Sequence, residues 1–218
     1  KGDWAVKNPH ATPGGWAFEF YNELYPDCDD TAEILMFLNR VKLPDQNRKL
    51  HESERAMSWL LSMQCKVGGW AAFDVDNEQD LFNLVPFADH GAMLDPATAD
   101  VSGRVLWLLG RVGFKKNHPQ VQKVIAFIRE KQESDGSWWG RWGVNYIYGT
   151  WLALTGLCSI GEDMNQPYVS RAIKWYNDHQ NEDGGWGETC ESYENPSLAG
   201  TGNSTASQTA WAVMGMIA

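Results

Sequence analysis

The 218 residues are enough for one large domain or two small ones, and a composition 43% hydrophobic and 21% charged is that of an ordinary globular protein. The formal net charge of −10 argues against nucleic acid as a partner. No run of about 18 apolar residues exists to make a transmembrane helix, although a membrane patch assembled from several helices is still allowed. Twelve tryptophans are the unusual feature, pointing to structural repeats, sugar binding or a cavity with aromatic walls.

Residues 1–26 are rich in Gly, Pro and aromatics, with Pro13-Gly14-Gly15-Trp16 followed by Phe18, Phe20, Tyr21 and Tyr25, and read as a loop leading into the first helix. Asp27-Cys28-Asp29-Asp30-Thr31-Ala32 then places three carboxylates just ahead of the apolar helical run Ile34, Leu35, Phe37, Leu38 and Val41. Two readings are open. Asp27 is a natural N-cap, with Asp29 and Asp30 as first-turn acids that complement the helix dipole. Alternatively, crowded carboxylates cannot all ionise cheaply, so one stays protonated near neutral pH and serves as an acid catalyst.

The expected helices run from about 29–42, ended by Leu43-Pro44-Asp45, and about 51–64, with Ala56, Trp59, Leu60 and Met63 on one face. A long polar loop carrying Asp74, Asp76, Asn77 and Asp80 leads to Pro96. Further helices are expected over about 97–113, from His118-Pro119 to Gln132, over about 149–160, from Gln166-Pro167 to Gln180, and from near Ser207 onward, with 187–204 as loop. No strand pattern is convincing. Cys28, Cys65, Cys158 and Cys190 lack paired metal-ligand spacing and read as reduced thiols of a cytosolic protein. The chain begins at Lys1 without Met or signal peptide and stops at Ala218 inside an apolar run, as expected of a piece cut from a longer protein.

The repeat organises these elements. Gln64, Gly68 and Trp70 fit Q-x-x-x-G-x-W, as do Gln132, Gly136 and Trp138, and Gln180, Gly184 and Trp186. Each Gln has an aromatic five residues upstream: Trp59, Phe127 and Trp175. The glycine permits a tight exit from a helix, the indole folds back on the helix end, and the Gln amide bridges to a neighbour. The motif is therefore a stability device. The helix after each Trp loop is the other half of the repeat. Asp29–Val41 and Asp100–Val112 align without gaps, matching Asp29 with Asp100 and Glu33 with Arg104, and the interval between Gln132 and Gln180 brings Tyr148 opposite Asp100. The three residues thus sit at equivalent helix N-termini. A ring of such helix pairs is an all-α, α/α toroid, with inner helices starting near 29, 98, 148 and 207 and outer helices ending at 64, 132 and 180.

These residues resemble a known family. Asp27-Cys28-Asp29-Asp30-Thr31-Ala32 is similar to the D-x-D-D-T-A motif of squalene–hopene cyclases, the bacterial class II triterpene cyclases, and the Q-x-x-x-G-x-W elements resemble that family's QW repeats. The segment from Gly136 to Tyr146 is also similar to a family segment. The resemblance covers essentially the whole chain. It implies one partial α/α-barrel domain over 1–218, belonging to the catalytic C-terminal half of the cyclase and forming an incomplete ring. It further implies protonation of squalene at a terminal double bond, cationic polycyclisation, and a hopene- or hopanol-type product. Neither metal nor cofactor is implied.

Carried over position by position, the resemblance makes Asp29 the proton donor and Asp27 and Asp30 its flanking carboxylates. Asp100, through its equivalence with Asp29, joins the catalytic candidates. Arg104 becomes the basic partner, and Tyr148 is linked to the water network that reloads the acid. Phe18, Phe87 and Trp142 become aromatic walls of the cavity. Phe73 stands where the family often has Tyr, so a π face is kept and a hydroxyl is lost. The implied setting is the cytoplasmic face of the membrane, reached through the full-length protein, with a homodimer as an allowed assembly. Three other readings compete. Asp29-Asp30-Thr31-Ala32-Glu33 also fits the D-D-x-x-E magnesium site of ionisation-dependent terpene synthases. A zinc prenyltransferase subunit uses a similar toroid, and exposed Trp suits a carbohydrate-binding module.

Overall fold

The computed structural model describes residues 2–77 and 94–218, and regular structure within them is helical apart from two isolated bridges, Ala17 with Pro26 and Asn77 with Asp95. The chain divides into two compact units, Lys1–Ala97 and Thr98–Ala218. Phe87 and Asp80 lie outside the described residues.

In the first unit, α1 is Trp4–Lys7, α2 is Cys28–Arg40 and α3 is Gln46–Ser62. α1 falls where a loop was expected; it seats the buried Trp4 edge-on to Trp59, ring centroids 5.9 Å apart. α2 begins where Asp27 turns extended and its Oδ1 accepts from the Asp30 N–H at 2.7 Å, an N-cap bond. α3 begins five residues before the expected His51, because Asp45, read as part of a helix breaker, is its N-cap and accepts from the Arg48 N–H at 2.8 Å. The first turn, Gln46 to Lys49, has no apolar residue, so hydrophobic periodicity could not reveal it. α2 packs against α3, turning Leu35 and Met36 inward on one helix and Ala56, Trp59 and Leu60 on the other.

In the second unit, α4 is Ala99–Arg111, α5 is Pro119–Glu130, α6 is Tyr146–Ser159, α7 is Pro167–Asp178 and α8 is Ala206–Met216. Pro119 and Pro167 open α5 and α7, the helix position at which a missing N–H costs nothing. The segment 187–204, expected to be loop, contains two 3-10 turns, Cys190–Tyr193 and Pro196–Leu198. α4 and α6 are buried on nearly every face, whereas α5 and α7 bury one stripe, so α4 and α6 are inner helices and α5 and α7 outer ones. α4, α6 and α8 pack side by side. The backbones of α4 and α6 approach so closely at Gly103 and Gly156 that a Cβ on Gly156 would stand 2.4 Å from the Gly103 carbonyl oxygen.

The Q-x-x-x-G-x-W loops are built alike. Gly68, Gly136 and Gly184 take φ of 101°, 103° and 84°, values that favour glycine. The indole N–H of Trp70, Trp138 and Trp186 donates to the carbonyl of Leu60, Ile128 and Tyr176, each ten residues earlier in the preceding helix, at 2.7, 2.7 and 2.8 Å. Gln64, Gln132 and Gln180 each donate to the carbonyl of the glycine four residues on, and Gln132 also bridges to the Tyr168 carbonyl. These bonds occupy carbonyls that helix ends otherwise leave unpaired. All three Trp rings are buried, at most 3% exposed, which fits the stabilising role expected of them. The four cysteines are free thiols, Cys28 and Cys65 buried, Cys158 half-buried and Cys190 exposed. Among the described residues, no helix is long and apolar enough to cross a membrane.

Candidate active site

In the first unit, the start of α2 gathers Asp27, Asp29 and Asp30. Asp27 is buried at 5% exposure, and Asp29 and Asp30 are half-buried. Burial pushes the Asp27 carboxyl up to about 8; the charges of Asp30 and Asp29 add to this, against the lowering effect of the Asp30 N–H bond. The same surroundings hold the Cys28 thiol well above its ordinary range, burial first and the Asp27 charge second. Asp30 and Phe18 line one open groove of about 490 Å³ together with Trp16, Phe20 and Ile34. Phe18 itself is 79% exposed in this chain.

Phe73 lies in the loop after Trp70, and that loop is held by Asp95. The Asp95 carboxylate accepts from the backbone N–H groups of Ala72, Phe73 and Asp74. Burial still raises Asp95 above the usual carboxylate range, against the lowering effect of those three bonds.

In the second unit, Arg104 from α4 donates through Nη2 to the Tyr148 hydroxyl of α6 at 2.8 Å, and both residues are buried. Asp100 is 1% exposed, and its Oδ2 accepts from the backbone N–H of Arg141 and of Trp142 at 2.8 and 2.9 Å. The structure therefore brings Arg104 to Tyr148 and ties Asp100 to the Trp142 loop, leaving the Trp142 ring 39% exposed.

Asp29 and Asp100 are each the second residue of a thirteen-residue helix, as the gapless alignment requires. Tyr148 is the third residue of α6, which starts at Tyr146 rather than near 149. Side-chain bonding restores its equivalence. Thr31, two residues after Asp29, accepts from the Trp16 N–H, and Thr150, two residues after Tyr148, accepts from the Trp138 N–H, both at 2.9 Å. Thr209 of α8 does the same for the Trp186 N–H at 3.0 Å.

Two features escaped the sequence reading. Trp16 occupies a fourth Trp loop, hidden because His10 stands where the motif has Gln; the recurring Thr on the following helix was the signal that could have found it. Glu188 is buried and accepts through Oε2 from the Asn145 and Ile147 N–H groups, at 3.1 and 3.0 Å, so a carboxylate from the next loop caps the helix that carries Tyr148. No local sequence signal marks that long-range bond.

The helix-pair repeats define an all-α fold of the α/α-toroid class. The type II terpene cyclase MstE from Scytonema has the same fold, with a TM-score of 0.66 at 21% identity, over 98% of this chain and 55% of that one. A family model described as the squalene-hopene cyclase C-terminal domain matches residues 1–218, and the chain belongs to that family. It is 54% identical over 217 residues to a squalene-hopene cyclase of Schizosaccharomyces japonicus, covering 100% of this chain and 33% of the relative. It is 52% identical over 217 residues to that of Alicyclobacillus acidocaldarius, covering 100% and 34%. It is 52% identical over 213 residues to a sporulenol synthase of Bacillus subtilis, covering 97% and 33%. The chain thus spans about a third of the length of the curated relatives it matches. Family membership decides against the two metal-dependent prenyl readings and the carbohydrate-binding module.

Proposed function

We propose that the chain is part of a triterpene cyclase that protonates squalene and drives its cationic polycyclisation to a hopene- or hopanol-type product. The observation that carries this reading is the carboxylate cluster at the start of α2, where burial, with the charges of Asp30 and Asp29, favours a retained proton on Asp27 beside Asp29, in a chain of this family. In this reading, the Asp29 carboxyl gives its proton to a terminal alkene carbon of squalene. The cation left on the neighbouring carbon is attacked by the next double bond, and each closure passes the charge on until a proton is lost or water adds. Asp27 and Asp30 keep the acid loaded. Arg104, as the basic partner, offsets the carboxylate left behind, and Tyr148, bonded to Arg104, belongs to the relay that reprotonates it. Phe18, Phe73 and Trp142 offer π faces to the cations, and Phe87 holds the same role by family resemblance. Asp100 serves by fixing the backbone of the Trp142 loop.

The same reading treats residues 1–218 as one partial barrel domain and places the full-length enzyme on the cytoplasmic membrane surface, with a homodimer allowed. It also makes the isolated chain catalytically weak, because water reaching an open cavity quenches carbocations. The test is incubation of the full-length enzyme with squalene and mass analysis of the products. Cyclic products with the elemental composition of squalene, or that plus one water, are expected. Unchanged squalene from a folded enzyme would overturn the proposal.

A further inference from the structure

Asp100 grips one edge of the Trp142 loop, and the opposite edge is met by a residue outside the catalytic candidates. The Tyr193 hydroxyl stands 3.1 Å from the Arg141 carbonyl oxygen and 2.9 Å from that of Gly143, its single hydrogen shared between them. The Arg141 C=O and the Trp142 N–H belong to one peptide unit, and in a planar trans peptide they point in opposite directions. The Asp100 carboxylate takes the N–H at 2.9 Å, and the Tyr193 hydroxyl takes the C=O. One peptide plane is thus pinned at both edges, directly ahead of the Trp142 side chain.

Tyr193 is itself anchored. It ends the 3-10 turn Cys190–Tyr193, in which the buried Ser192 hydroxyl accepts from the Asn145 side-chain amide at 3.2 Å. Asn145 Oδ1 in turn accepts from the Gly140 N–H at 3.2 Å, so one amide joins the turn to the loop. The Tyr193 ring packs edge-on to Trp139, centroids 6.0 Å apart. Burial first, and the Asp100 charge second, hold the phenol above its ordinary range, which keeps the hydroxyl a donor. Gly143 lies against Tyr148 so closely that a Cβ would stand 2.6 Å from the ring carbon Cγ. Packing on Trp139 needs only the ring of Tyr193; the donor aimed at two carbonyls of one loop is what Phe could not supply.

We propose that Tyr193 is a positioning residue for the cyclisation: with Asp100 on the opposite edge, its hydroxyl fixes the Arg141–Trp142 peptide plane and so the direction in which the Trp142 ring faces. This rests on the reading of Trp142 as a π wall for the cations. A ring that turns away stabilises a passing cation less, and proton loss then competes with the next ring closure. The proton gained at the start and the proton lost early cancel, so the resulting products have fewer rings and the elemental composition of squalene.

The test compares Tyr193→Phe and Tyr193→Leu with the wild type in the full-length enzyme. The readouts are the squalene products, the unfolding midpoint, and the fluorine NMR spectrum of protein labelled with fluorotryptophan, the Trp142 line being assigned by its loss in Trp142→Phe. Tyr193→Phe should melt near the wild type, move or broaden the Trp142 line, and raise the share of incompletely cyclised product on the order of fivefold with KM within about twofold. Tyr193→Leu should show the same product share with a lower midpoint, because it also loses the ring packed on Trp139. In a Trp142→Leu background, Tyr193→Phe should change the product share no further. An unmoved Trp142 line, a wild-type product pattern from Tyr193→Phe, or a further change in the Trp142→Leu background would each overturn the proposal and leave Tyr193 a packing residue. If the wild-type enzyme leaves squalene unchanged, the cyclase reading falls, while the Trp142 line still shows whether the hydroxyl holds the loop.

Discussion

α2 and α4 are the same length, align without a gap, and carry an aspartate at the same second position, yet the two aspartates are set in different surroundings. In α4, the N-cap Thr98 makes no side-chain cap bond, and Asp100 is buried with one carboxylate oxygen bound to two backbone N–H groups of the Trp142 loop. In α2, Asp27 supplies the cap and Asp29 is only half-buried, while burial and the charges of Asp30 and Asp29 raise the Asp27 carboxyl. The same repeat position thus holds a neighbouring loop in α4 and sits in a cluster of three carboxylates in α2. That contrast can be broken or sharpened by substitution.

The largest effect on stability lies in the Trp loops. Trp138→Ala should cost on the order of 3–5 kcal/mol in denaturant unfolding, because a fully buried ring and its bond to the Ile128 carbonyl are both lost. Trp16→Ala, at the matching but half-buried position, should cost clearly less. Equal costs would mean that burial does not set the difference between the two units.

Asp100→Ala follows, at about 2 kcal/mol, since two backbone donors of the Trp142 loop lose a buried charged acceptor. Asp29→Asn should cost less than about 1 kcal/mol, as the amide has the carboxylate's shape, keeps an accepting oxygen and leaves the Asp27 cap bond in place. Thermal melts of the two variants side by side check the ranking.

A smaller effect is expected in pH dependence. The folded pKa of Asp27 is raised above its ordinary value, so its contribution to stability is fully present below about pH 4 and fades as pH rises toward about 8. Asp27→Asn keeps an N-capping oxygen but cannot titrate, so its unfolding midpoint should fall less across that window than the wild type's. Parallel pH slopes for the two proteins would place the proton elsewhere in the cluster.

Much of this architecture was legible because it is periodic. Three Gln-to-Trp intervals and one gapless helix alignment identify the Trp loops and pair Asp29 with Asp100 from sequence alone. What was not legible depends on bonds without a local pattern. The polar first turn of α3 hides behind Pro44-Asp45, the loop of Trp16 lacks the motif's Gln, and Glu188 reaches across more than forty residues to cap α6. The Arg104–Tyr148 bond was approachable only through the repeat, which put both residues near matching helix starts without showing that they touch.

The central claim is that Asp29 is the acid. Its most direct test is product formation from squalene by full-length Asp29→Asn, measured on protein whose melting point has been compared with the wild type. The account predicts a folded enzyme melting close to the wild type, with no cyclic product, because an amide cannot protonate an alkene. A folded Asp29→Asn enzyme that cyclises squalene at the wild-type rate would contradict it and return Asp29 to the role of a first-turn acid.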